Sequence, residues 1–254
     1  MSSAHLETIQ QLLQENQKVL VNDLSEKFNV SKVSVRKYLE KLEQQGIVRR
    51  FYGGAELIGR QHDEPVLGPP VLQQLALRAR QEISDGDAIF VGSGRTCCYL
   101  AKTLEGIKNL TVVTNNITAL PDLNRFAQRV YLVGGEVTTT DKHTLFSSLE
   151  NPKTVLGSIV VNKAFTSMSG VHTKAGLTVE SMISTYLYKY IPEMAQRWIL
   201  LLDDSKYDKI AIYQVATLDA IDTIITNSVP PQYAQLFANL GISVVPLTPG
   251  ASPA

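Results

Sequence analysis

Seven short apolar runs, AIFV, LTVVT, RVYLV, SIVVNKAF, WILLLD, DTIIT and ISVVP, recur between Leu72 and the end of the chain, with helical stretches between them. Short apolar runs bounded by turn residues read as strands, and their alternation with helices implies a mostly parallel sheet covered by helices. No other feature narrows the fold as far: the larger part of the chain is expected to be an α/β, Rossmann-like domain. Such sheets take ligands at the carboxyl ends of their strands, so the residues after each run are the first places to look for a site.

The first run leads into Gly92, Ser93, Gly94, Arg95 and Thr96, and then into a helix beginning near Cys97. Glycines let backbone N–H groups approach an anion, and the helix N-terminus adds partial positive charge. Ser93 and Thr96 add hydroxyl donors, and Arg95 a charge-assisted contact. The stretch lacks the Gly-Lys-Ser of a P-loop and the third glycine of a dinucleotide fingerprint, and a plain tight turn is its other reading. Thr114 and Asn115 follow the second run, and Gly134 and Gly135 the third, so three strand ends are expected to converge on one crevice. Lys206 follows the fifth run, where it suits either a phosphate or a salt bridge to Asp203 or Asp204.

Ahead of this domain, residues 21–55 carry apolar residues at helix spacing: Leu24, Phe28, Val30, Val35, Leu39 and Leu42. Ser31 stands at an N-cap position and Gly46 at a helix stop. With Val35, Leu39 and Leu42 inward, the second helix turns Lys32, Val33, Ser34, Arg36, Lys37 and Lys41 outward. A helix entering the major groove by its N-terminal end needs short hydroxyls and cations there, which Ser31, Lys32, Ser34 and Arg36 supply. Next come a short apolar strand, Arg49 and Arg50, Tyr52 and a Gly-Gly turn. That order suits a winged hairpin whose arginines grip phosphates. The division expected is a winged helix-turn-helix over 1–57, a linker over 58–71 broken by Gly59, Pro65, Gly68, Pro69 and Pro70, and an effector and oligomerisation domain over 72–254.

The 254 residues carry 24 basic and 24 acidic side chains, so DNA affinity has to come from local charge. This balance argues against a nonspecific nucleoid-type protein. No apolar run approaches the roughly 20 residues needed to span a bilayer, and the N-terminus lacks a secretory pattern, so a cytosolic protein is expected. Cys97 and Cys98 are neighbours and make no disulfide framework, and His5, His62, His143 and His172 are scattered, read as surface or loop, with no metal cluster. No cofactor is expected.

In these residues the chain resembles the DeoR/GlpR family of bacterial transcription regulators. The head carries Val30-Ser31, Ser34-Val35-Arg36-Lys37 with Leu39, Gly46-Ile47-Val48, Arg50 and Gly53-Gly54-Ala55 in the family's register; Tyr38 stands where an Asp beside the phosphate backbone is usual, and Tyr52 replaces His. The body keeps Gly94 and Thr96, Thr114 and Asn115, Gly134 and Gly135, Ser205 and Lys206, and a Gly176-Leu177-Thr178 segment. The resemblance implies that Gly176 and Thr178 line an effector site, and that the body is a sugar-phosphate sensor related in fold to ribose-5-phosphate isomerase. It departs at Leu72 for Lys, Arg95 for Thr, Asn162 for Asp, Ser147 for Gly, and Tyr207-Asp208 for Phe-Gly, changes expected to concentrate around the effector.

The family mechanism implied is a dimer or tetramer that represses carbohydrate genes from an operator until a phosphorylated sugar releases it. Nothing in the residues separates repression from activation, and a ligand-independent regulator with a drifted sensor is an alternative. A sugar-phosphate isomerase is the rival from another class; it needs a carboxylate base, for which Asp85, Asp87, Glu136 and Glu180 are candidates by type. Such an enzyme has no use for the head.

Overall fold

The computed structural model describes residues 3–16, 18–44, 47–51, 53–57, 70–140, 144–148 and 151–247. Two compact units result, Met1–Pro65 and Val66–Ala254.

The first unit runs α1 (Ser3–Asn16), β1 (Lys18–Leu20), α2 (Val21–Phe28), α3 (Lys32–Gln44), β2 (Val48–Phe51) and β3 (Gly54–Leu57). β2 and β3 form the antiparallel wing, and β1 pairs with the other side of β3. α2 ends at Asn29, whose left-handed conformation (φ 51°) turns the chain toward α3. Leu24, Val35, Leu39 and Leu42 are buried with Ile9 and Leu13 of α1, while Phe28 and Val30 are partly buried. Gly46 lies outside the described residues.

Two expectations for this unit are corrected. Tyr38 is buried, not beside the phosphate backbone: it sits on the inward side of α3 next to Leu39, where α1 covers it. His5, expected at the surface, stacks on Phe28 at 4.7 Å between ring centroids, with its Nδ1 3.3 Å from the Tyr38 hydroxyl.

The second unit opens with α4 (Pro70–Arg80), so Pro70 and Val71 belong to a helix; residues 58–69 of the expected linker lie outside the described residues. The chain continues through β4 (Ala88–Val91), α5 (Arg95–Lys102), β5 (Thr111–Thr114), α6 (Leu120–Phe126), β6 (Arg129–Leu132), β7 (Glu136–Thr140), β8 (Thr144–Ser148), α7 (Pro152–Leu156) and β9 (Val161–Thr166). It then forms β10 (Gly170–His172), β11 (Gly176–Val179), α8 (Met182–Met194), β12 (Ala195–Leu202), β13 (Tyr213–Ala216), β14 (Thr223–Thr226), α9 (Pro231–Asn239) and β15 (Ser243–Pro246).

The seven apolar runs are the seven strands of one sheet, in the order β15-β14-β12-β9-β4-β5-β6. Every neighbouring pair is parallel. The chain builds outward from β4 to β6, then crosses back to lay β9 on the other side of β4, which places a topological switch point between β4 and β9. Strand periodicity divides the core: Ile89, Val91, Val112, Phe165, Ile199 and Leu201 pack with α4, α5 and α6, whereas Phe90, Val113, Ala164, Trp198, Leu200 and Ile224 pack on the opposite face. Trp198 is buried there and donates its indole N–H to Thr166 Oγ1 at 2.7 Å.

A small antiparallel sheet, β10-β11-β13, and the β7-β8 ribbon stand apart from the main sheet. Gly176 opens β11 with φ 67°, and a Cβ there would strike the Ala216 carbonyl, so the glycine is a packing requirement of that sheet. After β12, Asp208 takes φ 57°. The buried Tyr233 holds it: the Tyr233 hydroxyl accepts the Asp208 N–H at 3.2 Å and lies 2.8 Å from Asp208 Oδ1 and 3.0 Å from the Val171 carbonyl. Tyr233→Phe is therefore expected to cost about 1–2 kcal/mol of stability in urea unfolding; an unchanged midpoint would show that this hydroxyl holds nothing.

Candidate functional site

In the first unit the exposed side of α3 carries Lys32, Val33, Arg36, Lys37 and Lys41, and among the described residues no ion pair engages its four cations. Ser31 caps the helix. Its Oγ accepts the Ser34 N–H at 3.2 Å and shares a 3.0 Å hydrogen bond with the Ser34 hydroxyl. The two hydroxyls expected to reach base edges are thus anchored to each other. Arg50 departs further from expectation: its Nε donates to Glu43 Oε2 at 2.6 Å, and its backbone N–H to Glu43 Oε1 at 3.1 Å. Hydrogen bonds from Arg50 hold the Glu43 carboxyl below its ordinary pKa. One edge of the Arg50 guanidinium therefore fastens the wing to α3 and does not grip phosphate. Arg49 lies on β2, its side chain outside the described residues, as is Tyr52.

In the second unit a cleft of about 270 Å³ opens at the switch point, at the carboxyl ends of β4, β9 and β12. One wall is the glycine turn. Gly94 adopts φ 103°, ψ 159° and gives α5 no side-chain cap, so the first backbone N–H groups of that helix lack intrahelical acceptors. Asn116 fixes the turn from behind: its Nδ2 donates to the Gly92 carbonyl at 3.1 Å and the Gly94 carbonyl at 3.4 Å, while its Oδ1 accepts the Ala119 N–H at 3.1 Å. The Gly94 carbonyl also accepts the Cys98 N–H at 3.1 Å, the first bond of α5. Ser93, Arg95 and Thr96 line the same wall. Tyr188 braces it, its hydroxyl accepting the Ser93 N–H at 3.0 Å and meeting the Ser93 hydroxyl at 2.6 Å. Burial pushes the Tyr188 phenol upward, so it stays neutral.

Facing this wall are Ser167 and Ser169 after β9, Glu180, Ser181 and Ser184 around the start of α8, and Asp203, Lys206 and Lys209 after β12. Asp203 caps a short 3₁₀ turn, its Oδ1 accepting the Ser205 N–H at 3.1 Å and the Ser205 hydroxyl. Among the described residues no ion pair engages Lys206, so of its two sequence readings the salt bridge is absent. Arg95, Lys206 and Lys209 give the cleft an excess of cation over Glu180 and Asp203. With uncapped N–H groups and several hydroxyls, this is a donor set for an oxyanion joined to a hydroxylated body.

The structure separates the remaining sequence-predicted residues from this cleft. Gly92 is buried, its N–H donating to the Phe165 carbonyl at 2.9 Å. Thr114 is buried and ties β5 to β4, its Oγ1 donating to the Val91 carbonyl at 2.6 Å. Asn115 is buried with neither amide atom partnered; its neighbour Asn116 braces the turn. Gly134 is exposed off the cleft, and Gly135 lines a second depression with Glu136, Ser148 and Met182. Gly176 and Thr178 are buried, and Thr178 Oγ1 accepts the Ala211 N–H at 2.9 Å. The ends of β5 and β6 lie on the far side of β4 from the switch point, which is why they do not join the crevice as expected. Of the family departures, Leu72 and Arg95 line the cleft; Asn162 instead accepts the Ala88 N–H at 2.8 Å, and Ser147 donates to the Val133 carbonyl.

Of the carboxylates considered for catalysis, Glu180 alone lines this cleft. Asp87 pairs with Lys163 at 2.6 Å, and Asp85 accepts the Lys108 N–H at 2.9 Å. Burial pushes the Cys97 thiol far above its ordinary value, and Cys98 beside it acts in the same direction, so neither the charge nor the access of a nucleophile is present. His172 accepts backbone N–H groups of Lys174 and Ala175 in a turn, and His62 and His143 lie outside the described residues. Among the described residues no group of side chains suits a metal ion, and no helix is long and apolar enough to cross a membrane.

Comparison with known proteins identifies both units. Residues 6–61 match the DeoR-like helix-turn-helix domain, and residues 72–228 match the DeoR C terminal sensor domain. The chain belongs to the DeoR family. Among similar members are the HTH-type transcriptional regulator IolR of Bacillus subtilis, 30% identical over 82% of this chain and 84% of that protein, and the glycerol-3-phosphate regulon repressor of Escherichia coli, 24% identical over 87% and 89%. A solved D-ribose-5-phosphate isomerase overlaps 54% of the chain and 52% of its own at 17% identity and a TM-score of 0.39, a likeness too slight to carry argument. This DeoR-family chain is a DNA-binding transcription regulator and not an enzyme.

Proposed function

We propose that the chain is a repressor of carbohydrate-metabolism genes, bound to its operator as a homo-oligomer and released by a phosphorylated sugar seated in the cleft. One observation carries this reading: the uncapped start of α5 shares a cleft with Arg95, Lys206, Lys209 and a row of hydroxyls at the sheet's switch point. The Escherichia coli relative, the glycerol-3-phosphate regulon repressor, points the same way. The ligand has to favour the DNA-incompetent arrangement, because equal affinity for both states shifts nothing. A dimer or tetramer follows from the small number of base pairs that one head reads.

The test is selection of fragments of the source genome by the purified protein, repeated with a panel of sugar phosphates. Paired half-sites lost on addition of one compound support the reading, and sites indifferent to every compound oppose the sensor role. Arg36→Ala is expected to weaken binding to the selected operator by ~1–3 kcal/mol with the unfolding curve unchanged. Wild-type affinity in that variant would remove Arg36 from the DNA contact.

A further inference from the structure

The N-terminal turn of α3 presents Val33 to solvent, with 59% of its surface exposed. A lone exposed valine is ordinary on a protein surface, but this one has unusual surroundings. Arg36 and Lys37 follow at the helical intervals of three and four, so the methyl groups sit on the same stripe as two cations. Lys32 precedes it, and the Ser31 and Ser34 hydroxyls on either side are joined in the helix cap. The least restrained groups that this turn offers to a base edge are therefore an ammonium and an isopropyl group. A side chain without donor or acceptor distinguishes base pairs in the major groove in one way, by contact with the thymine C5-methyl group, the one apolar feature there.

We propose that Val33 reads a thymine methyl in each operator half-site, while Lys32, Arg36 and Lys37 set the register through phosphates or guanine. This rests on the DNA-reading role of α3 and adds the base that it selects. Glu40, one turn further along the stripe, is an acid among cations. It limits how far the C-terminal part of α3 lies against the phosphates and favours entry by the Val33 end.

The experiment uses the full-length protein and the operator recovered by genomic selection. Each thymine is replaced in turn by deoxyuridine, which removes the methyl group and leaves charge and hydrogen bonding intact. Wild-type affinity is expected to fall roughly three- to tenfold at one symmetry-related position per half-site and to hold at the others. In Val33→Ala the penalty for removing that methyl group is expected to shrink to about twofold or less, with the salt dependence of binding unaltered because no phosphate contact is lost. An operator with no methyl-sensitive position, or a sensitivity that persists undiminished in Val33→Ala, overturns the inference alone. Recovery of no preferred sequence overturns the regulator reading and this inference together.

Discussion

Asn116→Ala is expected to lower the unfolding free energy of the second unit by about 2–4 kcal/mol, because it orphans the Gly92 carbonyl and the Ala119 N–H at ~1–3 kcal/mol each, while the Gly94 carbonyl keeps the Cys98 N–H. The Asn116 amide is buried and spans the Gly92 and Gly94 carbonyls on one side and the Ala119 N–H on the other. Alanine replaces none of these partners, and no water reaches them without a cavity to hold it. Trp198 is the single tryptophan and lies in the core of the second unit, so its fluorescence in urea reports that unit alone. A loss below about 1 kcal/mol would mean that the turn is held from elsewhere. In molecules that still fold, the response to the effector is expected to weaken as well, since the turn that lines the cleft loses its brace.

Gly94→Val is expected to abolish release by the sugar phosphate while operator affinity stays unchanged. At φ 103° and ψ 159° the backbone occupies a region that is essentially glycine's own, and a side chain there costs about 1–3 kcal/mol. The fold itself leaves room: the nearest atom to a Cβ is Ser167 Cβ, at 3.9 Å. Valine is therefore accommodated by the cleft, at the expense of whatever approaches the backbone there. DNA binding by the variant is measured by fluorescence anisotropy with and without the inducing compound. Retained release at wild-type inducer concentration would place the phosphate away from this turn.

The seven sheet strands and the two head helices were legible because each is an uninterrupted apolar run or a helical stripe with its own stop. α1 was missed although Leu6, Ile9 and Leu13 carry helix spacing, and β1, three residues long, had no pattern to read. The same brevity hid β10, whereas β11 (GLTV) and β13 (YQVA), as long as β4, lack an uninterrupted apolar run. The glycine turn was legible because Ser93–Thr96 is contiguous; on the opposite wall Lys206 was legible and Glu180 only by type, while Ser167, Ser169 and Lys209 meet it through a strand order that a linear pattern does not encode. The rule that favours residues after strands also points to Ser167 and Ser169 behind β9. Asn115 and Asn116 show the finest limit: adjacent, identical, equally buried side chains, of which the fold uses the second to hold the turn.

The switch point also sets the order in which abilities arise during synthesis. The turn that forms the first wall of the cleft is synthesised by Thr96, but Asn116 and Tyr188, which brace it, follow later, and Lys206 and Lys209 come more than a hundred residues after Thr96, beyond the crossover to β9 and on to β12. The head has its own hydrophobic core and leaves the ribosome first, and domains fold in that sequence. On the reading proposed above, a growing chain thus acquires its DNA-reading surface well before the cleft that would release it is complete.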